Sequence, residues 1–284
     1  MICLLGFGEV GQTFAEDLGA DFAIWDIKFV DKNSIPSRAA KRLRVAAPAS
    51  AQAAVAAADV VVCAVTAAQG KVAAQSIAGS MKSGAYFLDV NSASPSQKIE
   101  TAAIIEAAGG RYVDAVIMSP IGNKRLASPM LLGGPYAEAF LSVAQNIGFS
   151  GASFYGAELG LASATKLCRS VIVKGLEALL TESMLAARHY GVEQTVLASM
   201  QDFFPGTEWE KLARYMVSRA VQHGTRRAEE MREAARTVAD AGLEPRMSAA
   251  TAELQDWASS FKNVLQYQDL PAFLDAVGTE SGMK

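Results

Sequence analysis

Basic residues are not in excess, cysteines are few, and no hydrophobic run is long. Lysine and arginine number 26 against 29 aspartates and glutamates, a formal net charge of −3. With no block of like charge, this balance excludes a nucleic-acid binder that works by bulk electrostatics. Three cysteines, Cys3, Cys63 and Cys168, are odd in number and unpatterned. Their apolar neighbours predict reduced, buried thiols rather than a disulfide framework, and no zinc-like spacing is present, so no metal is expected. No apolar run reaches the ~18 residues that span a bilayer, and the opening MICLLGFGEVG lacks the basic region of a secretion signal. The expectation is a soluble cytoplasmic protein with no membrane or nucleic-acid partner. What the chain has in abundance is alanine-rich apolar sequence: 51% of its 284 residues are hydrophobic, enough for one large or two smaller domains rich in helix.

Residues 2–5 form a short apolar run that breaks at Gly6, and Gly6-Phe7-Gly8-Glu9-Val10-Gly11 then opens an amphipathic segment through Leu18. This is strand, glycine turn and helix. Gly6 permits the turn, Gly8 lets a pyrophosphate approach the backbone, and Gly11 allows close packing of helix on strand, while the helix start holds the anion. A second strand, residues 22–25, ends in Asp26, twenty positions after Gly6. An acid there accepts from an adenosine ribose hydroxyl and favours NAD, although Lys28 and Lys32 leave NADP open.

Strand-like and helix-like segments then alternate: a short strand at Arg44-Val45-Ala46, a helix over 49–58, a strand over 59–65 ending at Thr66, a helix around 71–81, a strand over 85–90, a helix over 96–108 and a strand over 112–116. Residues 130–134 and 152–155 supply the last strands. The pattern predicts an open, mostly parallel, doubly wound sheet with its ligand at the carboxyl ends of the strands. On that rim lie the loops beginning at Gly6, Thr66, Asn91 and Met118. Asn91, Ser92, Ser94 and Ser119 are candidate ligand-contacting groups, and Ser94-Pro95 equally reads as a helix start.

From Glu158 to Tyr190 the chain contains no proline and reads as one long helix, apolar around most of its circumference. Ser163, Lys166, Ser170, Lys174, Glu177 and Thr181 recur at steps of three or four and form a polar seam. Lys174 is either an active-site cation or the partner of Glu177. Beyond Gly191 only helical segments follow, near 194–203, 208–241, 249–261 and 270–276, which sets domains at 1–156 and 157–284. On the longest of these, HGTRRAEEM places His223, Arg227 and Glu230 on one face. That face is either solvated and salt-bridged or offers His223 or Arg227 to a polar substrate group.

A dinucleotide fold that feeds into a lysine-bearing helix and an all-helical domain resembles the β-hydroxyacid dehydrogenase superfamily, which includes 3-hydroxyisobutyrate and 6-phosphogluconate dehydrogenases. Asp89-Val90-Asn91-Ser92-Ala93-Ser94-Pro95 and Gly160 through Lys166 carry the likeness, and NSxSP, MSP and KxCRSxxxKGLEALLxE are most like its 6-phosphogluconate-dehydrogenase-like branch. The resemblance implies an NAD(P)-dependent oxidoreductase with an α/β Rossmann domain followed by an all-α domain, while so apolar a long helix, hard to bury within one small domain, predicts a homodimer or higher oligomer. The resemblance also implies Lys166 as the catalytic lysine, and Asn91 to Ser94 as the loop that meets nicotinamide and substrate. Ser170 stands where the family usually has asparagine, Met118-Ser119-Pro120 replaces the Ser-Gly-Gly substrate loop, and His223 with Arg226-Arg227 replaces a lysine–aspartate pair. An ordinary lysine is a poor base near neutrality, so an apolar helix wall with Lys174 nearby would be needed to favour a neutral Lys166 amine. Rival expectations are an imine reductase and a non-catalytic NAD-binding sensor.

Overall fold

The computed structural model describes residues 1–19, 21–45 and 47–282. Strands β1 (Ile2–Leu5), β2 (Phe22–Trp25), β3 (Val60–Cys63), β4 (Tyr86–Asp89), β5 (Arg111–Ile117), β6 (Met130–Gly133) and β7 (Ala152–Gly156) form one sheet in the order β2-β1-β3-β4-β5-β6-β7. The first five strands are parallel; β6 runs antiparallel to β5, and β7 parallel to β6. Helices α1 (Glu9–Asp17), α2 (Ile35–Leu43), α3 (Ala51–Val55), α4 (Gly70–Ile77), α5 (Pro95–Ala107), α6 (Ile121–Lys124) and α7 (Ala137–Ile147) make the connections.

Continuous apolar strands follow from this layering, because each strand side is covered. Val60 and Val62 join one core with Phe14, Leu88 and Phe140, while Val61 and Cys63, on the opposite side of the pleat, join a second with Ile77, Phe87 and Ile105. The order reverses between β1 and β3, so the turn after β1 opens at the topological switch point, where open α/β sheets bind ligands.

The expected strand at Arg44-Val45-Ala46 does not form. Arg44 takes a left-handed conformation (φ 55°, ψ 35°) as the cap of α2, and the Val45 amide returns to the Ala40 carbonyl; Ala46 lies outside the described residues. Helix-terminal hydrogen bonding has here outweighed the β propensity of valine.

The chain divides into two compact units, the second starting at Leu167. The division falls inside helix α8 (Leu161–His189). The second unit continues through α9 (Glu193–Phe203), α10 (Trp209–Asp240), α11 (Arg246–Ala258) and α12 (Leu270–Ser281), with no strand among its described residues. Its core gathers Met184, Val217, Val221, Phe261 and Phe273. Among the described residues no helix is long and apolar enough to cross a membrane.

Candidate functional site

The glycine turn is built as its spacing requires. Gly6 has φ +98°, and a Cβ there would lie 2.4 Å from the Ala64 carbonyl oxygen; at Gly11 it would lie 2.2 Å from that of Gly6. Both glycines are demanded by the protein's own backbone. Gly8 is different: its φ of −78° suits any residue, and an added Cβ would meet no atom within 4 Å. The open space faces the start of α1, whose N-cap supplies no side-chain hydrogen bond, so its first amides are available to an anion. Phe7 is buried, Val10 half-buried, and Glu9 exposed in the first turn.

Asp26 follows the last residue of β2 and is drawn to this turn. Its carboxylate accepts from the Phe7 amide at 2.7 Å and from the Lys28 amide at 2.8 Å. That fixes a negative charge beside the glycine loop, where a ribose hydroxyl would be recognised and a 2′-phosphate repelled. The open Gly8, the uncapped helix start and this carboxylate together fit a dinucleotide.

Of the other rim residues, Thr66 is exposed at the head of a 3₁₀ turn and makes no capping bond. Asn91 is buried; its amide nitrogen donates to Cys63 Sγ at 3.3 Å, and its Oδ1 has no partner. Ser119 Oγ, on the loop after β5, is likewise buried without a partner. Ser92 is half-buried. Ser94 occupies the N-cap position of α5 with Pro95 next, but its side chain makes no capping bond; its Oγ lies 3.3 Å from that of Ser96.

Beneath the Asn91 loop lies a buried ionic cluster that the sequence did not suggest. Lys98 is fully buried, and its ammonium meets the Asp89 carbonyl at 2.7 Å, Asp89 Oδ1 at 3.1 Å and Asp114 Oδ1 at 3.3 Å. Burial opposes the lysine's charge, but the two aspartates outweigh it and hold the ammonium above its usual range. Asp89 also accepts from Tyr112 Oη at 2.7 Å and from the Asn91 amide at 2.9 Å. Burial pushes the Asp114 carboxyl up, with Lys98 opposing, and burial likewise pushes the Tyr112 phenol up. Cys63, beside this cluster, is pushed up to about 12 by burial and by Asp89.

The cluster reaches the start of α8. Asp114 Oδ2 accepts from the Ser163 amide at 3.2 Å, acting as a helix cap supplied from β5, and Ser163 Oγ donates to the Ala93 carbonyl. Ala162 packs against Gly133. Lys166, three residues after Ser163, therefore shares the helix face that meets the 91–94 loop and is half-buried.

In the second unit the seam is buried from Ser170 to Thr181. Lys174 does not pair with Glu177: it meets Glu230 Oε2 at 2.7 Å and donates to Ser170 Oγ at 3.0 Å. Arg227 takes Glu177 instead, which also accepts from Gln255 at 3.2 Å. The arginine is buried, so the stretch HGTRRAEEM is solvated only on the side of Arg226, which pairs with Glu230 at 2.5 Å. Burial raises the Glu177 carboxyl against the pull of Arg227. His223 contacts Arg219 at 2.7 Å, and partial burial with Arg219, Arg226 and Arg227 lowers it to about 4. Cys168 also departs from expectation: it is exposed, because it lies on the face of α8 opposite the seam. Among the described residues no cluster of side chains suits a metal.

Residues 1–155 match the family model for the NAD binding domain of 6-phosphogluconate dehydrogenase, more than half of the chain. The chain belongs to this family. Its first unit is accordingly an NAD(P)-binding domain. Residues 187–258 match a domain of unknown function, DUF1932. A conserved hypothetical protein from Sinorhizobium meliloti is 32% identical over 98% of this chain and 95% of its own, with a TM-score of 0.76. A conserved protein of unknown function, whose structure is described as similar to 3-hydroxyacid dehydrogenases, is 28% identical over 91% and 96%, with a TM-score of 0.69. The 3-hydroxyisobutyrate dehydrogenase of Mycobacterium tuberculosis, solved with L-serine, shares the fold at 19% identity over 97% and 98%, with a TM-score of 0.71. No curated protein matches the chain.

Proposed function

We propose that the protein is an NAD(P)-dependent dehydrogenase that moves a hydride between nicotinamide and the hydroxyl-bearing carbon of a small, β-hydroxy-acid-like substrate, with Lys166 as general acid and base. The observation that carries this reading is the double hold of Ser163 on Ala93 and Asp114, which ties the helix turn bearing Lys166 to the Asn91–Ser94 loop. In this reading residues 1–156 hold the cofactor and residues 157–284 supply the substrate side and an oligomer contact.

When bound, nicotinamide accepts or returns the hydride at C4. Lys166 then takes the proton from the substrate hydroxyl during oxidation and gives it back during reduction, while the rigid loop and helix start fix the approach. The unpartnered Asn91 Oδ1 and Ser119 Oγ suit donors and acceptors of the nicotinamide amide or the substrate, as do Ser92 and Ser94. Ser170, engaged by Lys174, is the hydroxyl next along the seam. Asp26, held by two amides, favours NAD over NADP.

The test is a panel of short hydroxy acids, with cyclic imines as the contrasting class, assayed with NAD and NADP by the absorbance of reduced nicotinamide. Hydroxy acids should turn over, and Lys166→Ala should bind NADH as the parent does while kcat falls at least about a hundredfold. An active Lys166→Ala enzyme, or turnover confined to imines, overturns the assignment.

A further inference from the structure

The register of the sheet sets two carboxylates side by side. Asp89 on β4 and Asp114 on β5 are paired residues of neighbouring parallel strands, so their side chains leave the same face of the pleat, and both are buried. Like charges placed in this way repel in a medium of low dielectric unless a cation stands between them. Lys98 is that cation. It takes no part in the hydride-transfer scheme, and being fully buried it cannot touch a ligand.

Each carboxylate also holds a different half of the proposed site. Asp89 Oδ1 accepts from the Asn91 amide at 2.9 Å and fixes the start of the 91–94 loop, while Tyr112 Oη fixes the other oxygen of the same carboxylate at 2.7 Å. Asp114 Oδ2 accepts from the Ser163 amide at 3.2 Å and fixes the helix turn that carries Lys166. Ser163 Oγ then donates to the Ala93 carbonyl and closes the circuit. Through Lys98 these contacts form a ring: Lys98, Asp89, the loop from Asn91 to Ala93, Ser163, Asp114 and Lys98 again. An open chain of hydrogen bonds can swing about its free ends. A closed one made of buried groups keeps a single geometry, because displacing any member breaks two contacts at once.

We infer that Lys98 is a positioning residue: by joining Asp89 to Asp114 it holds the Asn91–Ser94 loop and the turn that bears Lys166 in one fixed relation. The inference rests on the hydride-transfer reading and deepens it. Misplacement of reacting groups by about 1 Å costs about a hundredfold in rate, so an opened ring should be felt in turnover before it is felt in binding.

The test compares variants that open the ring with one that only destabilises, at a temperature well below every melt. Lys98→Met should lower kcat for hydroxy-acid oxidation at least about tenfold, while KM for NAD and the affinity for NADH stay within about twofold, since the glycine turn and Asp26 lie outside the ring. Ser163→Ala opens the ring at its opposite side and should lower kcat similarly. The double variant should lose little more than the worse single one, because a ring can be opened only once. Leu274→Ala, a cavity in the core of the helical unit, should melt lower yet keep its kcat. If Lys98→Met does not fold, Asp114→Asn serves in its place, since asparagine keeps one acceptor where Lys98 and Ser163 need two. Amide hydrogen exchange gives a readout independent of turnover: opening the ring should speed exchange at residues 91–94 and at residues 163–166 together, and leave residues 6–11 unchanged. Losses of kcat that multiply in the double variant, a kcat for Lys98→Met no lower than that of Leu274→Ala, or faster exchange confined to α5 would each overturn the proposal. A parent that oxidises no hydroxy acid, with exchange at the two segments still rising together, would overturn the hydride-transfer reading instead and leave the ring standing.

Discussion

Replacing Lys98 by methionine isolates the buried cluster that lies beneath the Asn91–Ser94 loop. Methionine fills a similar volume but removes the charge and all three donors, leaving the Asp89 carbonyl and two buried carboxylates around an apolar methyl group. Breaking a buried ion pair by deleting one partner costs about 3–5 kcal/mol. Asp89 keeps its bonds from Tyr112 and Asn91, and Asp114 keeps Ser163, which sets the expected cost near the lower end, about 3 kcal/mol. In a domain of this size each kcal/mol moves the melting temperature by about 2–4 °C, so Lys98→Met should melt about 6–12 °C below the parent. Near-ultraviolet circular dichroism measures the melt, and guanidinium midpoints provide a check against irreversibility. Adding Asp114→Asn should recover part of the loss, because one uncompensated carboxylate is then neutral. A single variant that melts within about 2 °C of the parent would refute the claim that the ammonium holds this region together.

Two glycines of the first turn, Gly8 and Gly11, should separate cleanly. Gly8→Ala should fold with unchanged stability yet bind NADH at least about tenfold more weakly, since its methyl group occupies only ligand space, whereas Gly11→Ala should lose stability outright; fluorescence titration and thermal melts distinguish the two. His223 should leave a mark on the acid limb of stability. Its folded pKa of about 4 lies below the usual 6.5, so the unfolded chain binds the proton first and stability declines as pH falls from 6.5 towards 4. His223→Gln should flatten that part of a plot of urea midpoint against pH, and an identical slope would rule the histidine out.

Much of the architecture is written in local patterns. The glycine spacing, the apolar strands and the unbroken run from 158 to 190 each encode their element within a few turns, and the observed strands and helices start or stop close to where those patterns change. The buried charges are legible in a weaker way. Lys98 sits in Ser-Gln-Lys-Ile-Glu, which looks like any solvated helix face, and only the tertiary positions of Asp89 and Asp114 draw it inward. The available signal was that β4 ends in an aspartate and β5 carries one amid apolar residues, where an unpaired carboxylate would be costly. Pairing along the seam failed for a related reason. Spacing on α8 placed Lys174 beside Glu177, but α10 and α11 approach from outside that local frame and supplied Glu230, Arg227 and Gln255 as partners.

The cap that Asp114 provides bears on how such proteins can be recombined. The first turn of α8 is written into the sheet: Gly160 stands where a Cβ would come within 2.9 Å of Pro95, Ala162 rests on Gly133, and Ser163 hooks onto Ala93 and Asp114. A chimera that exchanges the helical unit between relatives should therefore be joined after Lys166, where the guest helix inherits a start already anchored by its host. A junction at residue 156, the border of the sheet, separates Asp114 from the amide it caps and hands the incoming helix an unmatched beginning.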